Sequence, residues 1–386
     1  MLIAANGKHI HLLPEMSNRH GLIAGSTGSG KTVTLQVMAE QFSRIGVPVF
    51  LADVKGDLGG IKYPGIPNEK IVDRVHRLGL EDFDFEGNPV RFWDVFGTDG
   101  DPLKASVSGM GPLLISQLLD LSEAQAGSLF QMFKATKRYG IAINNLNDLF
   151  SVATHMIEHA EEYEREYGRI SKGSFGAIQR SLIALEDDGE DVLFVKNGEK
   201  VFDISQFIQT KHSKGVINIL KAERLIHTPK VYAMFLLWLL TELFEKLPER
   251  GDADKPVMVF FFDEAHLLFD GAPKVLVDKI EKVVRLIRSK GVGVFFVTQR
   301  PEDIPDSVLA QLGNRVQHSM RAFTPRDLKV IKALAQTFRT NDADQVENTI
   351  TELKIGEALV SFLSTDGSPS VVQRAMICPP RSRIGL

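Results

Sequence analysis

Short, unbroken apolar runs punctuate this chain at residues 21–24, 47–52, 216–220, 257–262 and 292–298, and stretches with helical apolar spacing lie between several of them. Runs that do not alternate with polar residues mark strands buried on both faces, as in a parallel sheet covered by helices on each side. The pattern predicts an α/β fold with a mostly parallel sheet, in which ligands bind at the carboxyl ends of the strands. Residues 1–13 alternate around Asn6-Gly7 and predict a small hairpin with a type I′ turn. Residues 358–363 and 370–373 predict a closing hairpin around Asp366-Gly367.

Residues 56–215 break the rhythm. They open with a Gly/Pro-rich, aromatic segment and continue as amphipathic stretches, so a largely helical insertion is expected between a first core segment (1–55) and the rest of the core (216–386). Within it, 112–119 and 146–166 are helical by spacing, and Ser122 with Gln125 forms a capping-box pattern. Thr324-Pro325 with Asp327 marks another helix start. The most apolar run, 231–240, is closed by Glu242 and Glu245, well short of the roughly 20 residues a membrane span requires, and predicts a buried helix.

The first run leads into Gly25-Ser26-Thr27-Gly28-Ser29-Gly30-Lys31-Thr32, and Val33, Val37, Met38 and Phe42 follow at helical spacing. This meets every fixed position of the phosphate-binding loop pattern in its strand-loop-helix context. Glycines let several backbone N–H groups turn toward one phosphate, and the helix start adds the positive end of its dipole. Gly25 through Val33 are therefore the expected nucleotide contacts, with Lys31 on the β and γ phosphates of ATP and Thr32 on Mg²⁺.

The run 257–262 ends in Asp263-Glu264. Two acids at a strand tip divide the work of hydrolysis, Asp263 holding the Mg²⁺ shell and Glu264 orienting and deprotonating water. Gln299, after the run 292–298, is placed to sense the γ phosphate. Asp53 and Lys55 hold a similar strand-tip position, where a plain turn and a ligand contact are equally open. Phosphoryl transfer also calls for a positive group, often supplied by a neighbouring subunit. Arg285 and Arg288, three apart on one predicted helix face, are the first candidates, with Arg315 and Arg321 behind them. His155-Met156-Ile157-Glu158-His159 fits a zinc-hydrolase pattern, but it runs into a heavily charged stretch, and no third ligand is identifiable; an exposed helix face is expected.

Composition narrows the partners. A formal net charge of −4 carries no global nucleic-acid signature, so any DNA contact must be local. One cysteine, Cys378, allows no internal disulfide, and with no export signal visible a reducing, cytoplasmic setting is expected.

The phosphate loop, the segment 260–266, the run from Arg285 to Pro301, and the segments 314–318 and 322–327 together resemble the HerA/FtsK superfamily of P-loop ATPases, in its HerA-like bacterial branch of the YjgR type. The resemblance extends over nearly the whole chain. It implies a RecA-like core, Mg-dependent ATP hydrolysis, a homo-oligomeric ring (usually a hexamer) with a trans arginine, and translocation of DNA through it. Few residues precede the phosphate loop, so the N-terminal barrel of the archaeal relatives is expected to be missing. Alternatives that keep the same site are an ATP-driven protein-handling or secretion-type machine and a nucleotide-dependent switch.

Overall fold

The computed structural model describes residues 1–385 apart from 188, 189, 197, 252, 271 and 273. The chain divides into two compact units. One comprises Met1–Phe92, Ser205–Arg224 and Leu243–Leu386, the other Trp93–Ile204 and Leu225–Glu242.

In chain order the strands are β1 (Leu2–Ala5), β2 (His9–His11), β3 (Gly21–Ala24), β4 (Val49–Asp53), β5 (Val90–Asp94), β6 (Asp101–Pro102), β7 (Thr210–Lys211), β8 (Lys214–Gly215), β9 (Ile217–Lys221), β10 (Met258–Phe262), β11 (Val292–Thr298), β12 (Asn314–Gln317), β13 (Glu357–Ser361) and β14 (Gln373–Ile377). The helices are α1 (Lys31–Arg44) and α2 (Glu69–Arg77) in the first unit, then α3 (Val107–Leu118), α4 (Glu123–Arg138), α5 (Leu146–Glu158), α6 (Ala160–Tyr167), α7 (Lys172–Asp187) and α8 (Pro229–Lys246). The first unit then adds α9 (Lys274–Ile287), α10 (Asp306–Leu309), α11 (Pro325–Gln336) and α12 (Ala343–Glu352).

The first unit is built on a sheet in the order β2-β1-β14-β13-β12-β3-β11-β10-β4-β9. From β12 to β9 every pairing is parallel, while β13, β14, β1 and β2 add an antiparallel flank. All residues of β3, β4, β10 and β11 are buried, as their unbroken apolar composition requires. Aromatic rings tie the central strands together. Phe261 stacks on Phe295 at 5.1 Å, with Phe42 of α1 tilted against both, and Phe50 stacks on Phe260 at 4.8 Å. Such pairs add about 0.5–1.5 kcal/mol each beyond burial, so the strand tips rest on a stiff base.

The second unit is mainly helical. Its α4 starts with the reciprocal Ser122–Gln125 capping box, as α11 of the first unit starts with Thr324 and Asp327. Residues 231–240 of α8 are all buried, and among the described residues no helix is long and apolar enough to cross a membrane.

Two local expectations are corrected. Of the residues joining β1 to β2, only Gly7 (φ +90°) is left-handed, so the turn is not type I′; Ala5 pairs with His9, which leaves Asn6, Gly7 and Lys8 as the loop instead of a two-residue turn. The stretch 146–166 is two helices, α5 and α6, meeting at His159, whose φ of −109° and ψ of 30° are not helical. The helix expected at 112–119 is present: Gly111 (φ +79°, ψ 165°) breaks the backbone after a short helical turn that begins at Val107, and Pro112 opens the helical stretch that runs to Leu118.

Candidate nucleotide-binding site

The phosphate loop joins the tip of β3 to α1. Gly25, Gly28 and Gly30 have φ of +152°, +76° and +115°, a backbone that L side chains rarely adopt. Gly25 is also crowded: a Cβ there would lie 2.6 Å from His318 Cβ and 2.8 Å from Ser29 Oγ. Gly30 is the N-cap of α1 and no side chain caps the helix, so the orphan N–H groups of its first turn, at Lys31, Thr32 and Val33, border the loop. Ser29 Oγ is buried without a hydrogen-bond partner. Thr27 and Gly28 form the exposed tip.

Lys31 is 6% exposed and donates to the carbonyls of Gly25 (2.7 Å) and Ser26 (3.0 Å). Burial, with help from the nearby Lys55 charge, pulls its ammonium down to about 8, against the attraction of Asp263 and Glu264. Beneath the loop His318, the residue after β12, fixes it to two elements. Its Nδ1–H donates to Glu357 O (3.0 Å), which leaves Nε2 to accept from the Thr34 hydroxyl (2.8 Å). Burial, with repulsion from Lys31, lowers this imidazole to about 4, so it is neutral.

The strand order places β11 between β3 and β10. Ala24 of β3 is in register with Thr298, and Phe262 of β10 with Phe296. The tips carrying the phosphate loop, Gln299 and Asp263-Glu264 thus stand side by side. Asp263 is 7% exposed, and burial raises its carboxyl to about 6, with Lys55 pulling the other way. Glu264 sits at φ +51°, a strained left-handed position for a residue with a side chain, of the kind that collects at functional sites. Its Oε1 pairs with Lys55 Nζ at 3.1 Å. Its Oε2 has no hydrogen bond and lies 3.5 Å from His266 Nδ1. Burial lowers the His266 pKa, so we read that contact as a carboxylate beside a neutral ring rather than an ion pair.

Asp53 and Lys55, left open by the sequence, have distinct places. Asp53 accepts the N–H groups of Gly56 (2.8 Å), Asp57 (3.3 Å) and Leu58 (3.1 Å), closing the turn after β4 and aiming Lys55 at Glu264. Gln299 is half-buried beyond Thr298, whose hydroxyl accepts from the Arg300 N–H (3.0 Å) and meets His266 Nδ1 at 3.3 Å.

The arginines divide. Arg285 and Arg288 close α9 and the turn before β11, at the end of the sheet opposite the phosphate loop, and β11 separates them from it by roughly 20 Å. Arg315 donates to the carbonyls of Leu312 and Leu309 (both 3.1 Å) and braces its own loop. Arg321 is on the loop side, its backbone N–H bonding Ser26 Oγ at 3.2 Å with the side chain exposed.

In the other unit, the His155 and His159 rings lie 4.1 Å apart, and His159 Nδ1 donates to the His155 carbonyl (2.9 Å). Among the described residues no group of three or more His, Cys, Asp or Glu side chains is arranged to hold a metal ion. The sequence signal missed His318 as the support of the loop and Lys55 as the partner of Glu264, since both contacts depend on strand order.

A family model described as "Helicase HerA-like C-terminal" matches residues 2–386. The chain belongs to this HerA-like family of P-loop ATPases. It is 22% identical over 354 residues to a DNA double-strand break repair helicase HerA of Sulfolobus acidocaldarius, covering 89% of this chain and 62% of that protein. With the protein of the same name from Pyrococcus furiosus it shares 23% over 369 residues, 90% of this chain and 63% of the relative. The HerA-like chain thus spans about three-fifths of the length of the curated relatives it matches. Its fold is that of the bacterial conjugative coupling protein TrwBΔN70 (TM-score 0.61, 13% identity, 96% of this chain and 89% of the other). VirB4 of Thermoanaerobacter pseudethanolicus shares it too (TM-score 0.61, 14% identity, 98% and 96%).

Proposed function

We propose that this chain is a Mg²⁺-dependent ATP hydrolase working as an oligomeric DNA translocase or helicase-like motor. The observation that carries the hydrolytic part is Glu264: buried, held in a strained conformation beside Asp263, within the field of Lys31, and with one carboxylate oxygen lacking a hydrogen-bond partner. A carboxylate so placed is the base for a water that attacks the γ phosphorus. Oε2 takes the proton, Oε1 stays with Lys55, the bond to the β-phosphate oxygen breaks, and ADP and phosphate leave.

Lys31 exchanges two loop carbonyls for β and γ phosphate oxygens, and the first-turn N–H groups of α1 wrap the phosphate chain. The glycine cradle and the unpartnered Ser29 hydroxyl fit a polyphosphate. Thr32 and Asp263 would hold Mg²⁺, which supplies charge to offset the phosphate oxygens. Gln299, just past the tip of the strand between the loop and the acids, contacts the γ phosphate and responds to its loss.

The naming of similar proteins as DNA double-strand break repair helicases supports DNA as the track. Arg285 and Arg288 lie too far from their own loop to act on it, so either would serve only at the site of a neighbouring subunit. Steady-state ATP hydrolysis with and without single- and double-stranded DNA at low salt tests the proposal, with Glu264→Gln as control. DNA-stimulated hydrolysis lost in the variant is expected. Hydrolysis indifferent to either DNA would reject the DNA motor and leave the ATPase.

A further inference from the structure

On the flank of the phosphate loop away from the two acids, α2 presents Arg74. Its guanidinium lies against Gly356, where an added Cβ would sit 3.0 Å from Nη2. Gly356 donates its N–H to Ser29 O (3.2 Å), and a Cβ on Gly30 would lie 3.4 Å from Gly356 N, so Arg74 is one residue removed from the loop. The side chain is half-buried, yet it makes no hydrogen bond or ion pair with the described residues. The adjacent acid, Asp73, is paired with Arg77 at 2.9 Å. A guanidinium keeps its charge at any accessible pH, and leaving one partly desolvated with no carboxylate bonded to it, Asp73 acting on it only through space, is unusual unless a ligand completes its surroundings.

The strand order says which part of a ligand would reach it. Asp263 and Glu264 come from β10, on the β11 side of β3, whereas β12 and β13 lie on the other side. A nucleotide with its terminal phosphate toward Glu264 and its phosphate chain in the loop carries its sugar and base toward the β12 and β13 flank. There Gly356 precedes β13, and Ile355 beside it is 74% exposed. A planar cation next to an exposed aliphatic side chain is suited to the face of a heterocycle, not to its edge.

We propose that Arg74 and Ile355 form the base subsite of the nucleotide site, Arg74 stacking its guanidinium on the ring, and that the subsite accepts adenine and guanine alike. The inference rests on the phosphate loop binding a nucleoside triphosphate. Stacking is tolerant of base identity because every base has a π face, and the subsite as described has no group aimed at a base edge.

Calorimetric titration with ATP, GTP and inorganic tripolyphosphate in Mg²⁺ buffer tests it, on the full chain carrying Glu264→Gln to prevent turnover. ATP and GTP are expected to bind with similar affinity. Arg74→Ala should weaken both by about three- to thirty-fold and leave tripolyphosphate unchanged, the range of a cation–π contact. Arg74→Lys, which keeps the charge but loses the plane, should recover little of the loss. Equal weakening of tripolyphosphate, full rescue by lysine, unchanged ATP affinity in Arg74→Ala, or strong preference for one base would each overturn the base subsite. Failure of all three ligands to bind the parent chain would instead overturn the nucleotide site, and Arg74→Ala with an unchanged circular dichroism spectrum separates lost contact from lost fold.

Discussion

His318 ties the stability of the phosphate loop to pH, and its replacement by glutamine isolates the effect. In the folded chain the ring is buried, neutral and held at both nitrogens, with a pKa of about 4 against 6.5 for an exposed histidine. Between those values the unfolded chain binds a proton that the folded chain refuses, so this contribution to stability is present above pH 6.5 and lost as the pH falls toward 4. Integrating the linkage from pH 7 to 4.5 gives a loss of about 2 kcal/mol from this residue. Other buried groups titrate in the same window: His20, lowered to about 4, adds to the loss, whereas Glu40, raised by burial, opposes it. The useful quantity is therefore a double difference. Urea unfolding followed by far-ultraviolet circular dichroism, at both pH values, should show wild type losing about 2 kcal/mol more than His318→Gln, whatever the variant's stability at pH 7. Tryptophan fluorescence is the wrong probe, since Trp93 and Trp238 both belong to the other unit. Equal losses in the two proteins would refute a neutral, buried His318.

Three further outcomes are expected. Asp263 ionises near pH 6 under the restraint of Lys55, so kcat/KM for ATP should rise with pH through that region, and Lys55→Met should move the rise to higher pH; an unchanged midpoint would reject the coupling. Gly25→Ala forces a Cβ to within 2.6 Å of His318 Cβ at φ +152°, and should cost about 1–3 kcal/mol in urea unfolding together with a loss of ATP affinity. Arg285→Ala or Arg288→Ala alone should lose ATPase activity and regain part of it when mixed with Glu264→Gln subunits, and full activity of both single variants would remove them as trans groups.

Much of the core was legible in the amino-acid order because the relevant physics is local. A short unbroken apolar run bounded by turn signals has the length of a strand buried on both faces, whereas the longer run 231–240 has that of a buried helix, and the runs at 21–24, 47–52, 216–220, 257–262 and 292–298 correspond to β3, β4, β9, β10 and β11 with boundaries shifted by at most two residues. The glycines of the loop and the acids after β10 are contiguous patterns, readable without knowing what lies beside them. Short loops were less legible: Gly7 and Gly111 bend the backbone where register and a following proline decide the geometry, and spacing does not encode those.

What the tertiary structure decided was adjacency. Strand order is a long-range property, and only once β3 lies between β11 and β12, with β10 and β4 beyond, does Lys55 meet Glu264 and does His318 come under Gly25. Thr34 and His318 are separated by 284 positions and share a hydrogen bond of 2.8 Å. The same order carries Arg285 and Arg288 to the far end of the sheet and brings Arg74 up behind Ser29 and Gly30. The amino-acid sequence by itself determined which chemical groups this chain possesses and which strand tips bear them. Which of those groups share one low-dielectric cleft, and so shift each other's protonation and compete for one ligand, depended on how the strands pair, because an electrostatic interaction falls off with distance in space and is indifferent to distance along the chain.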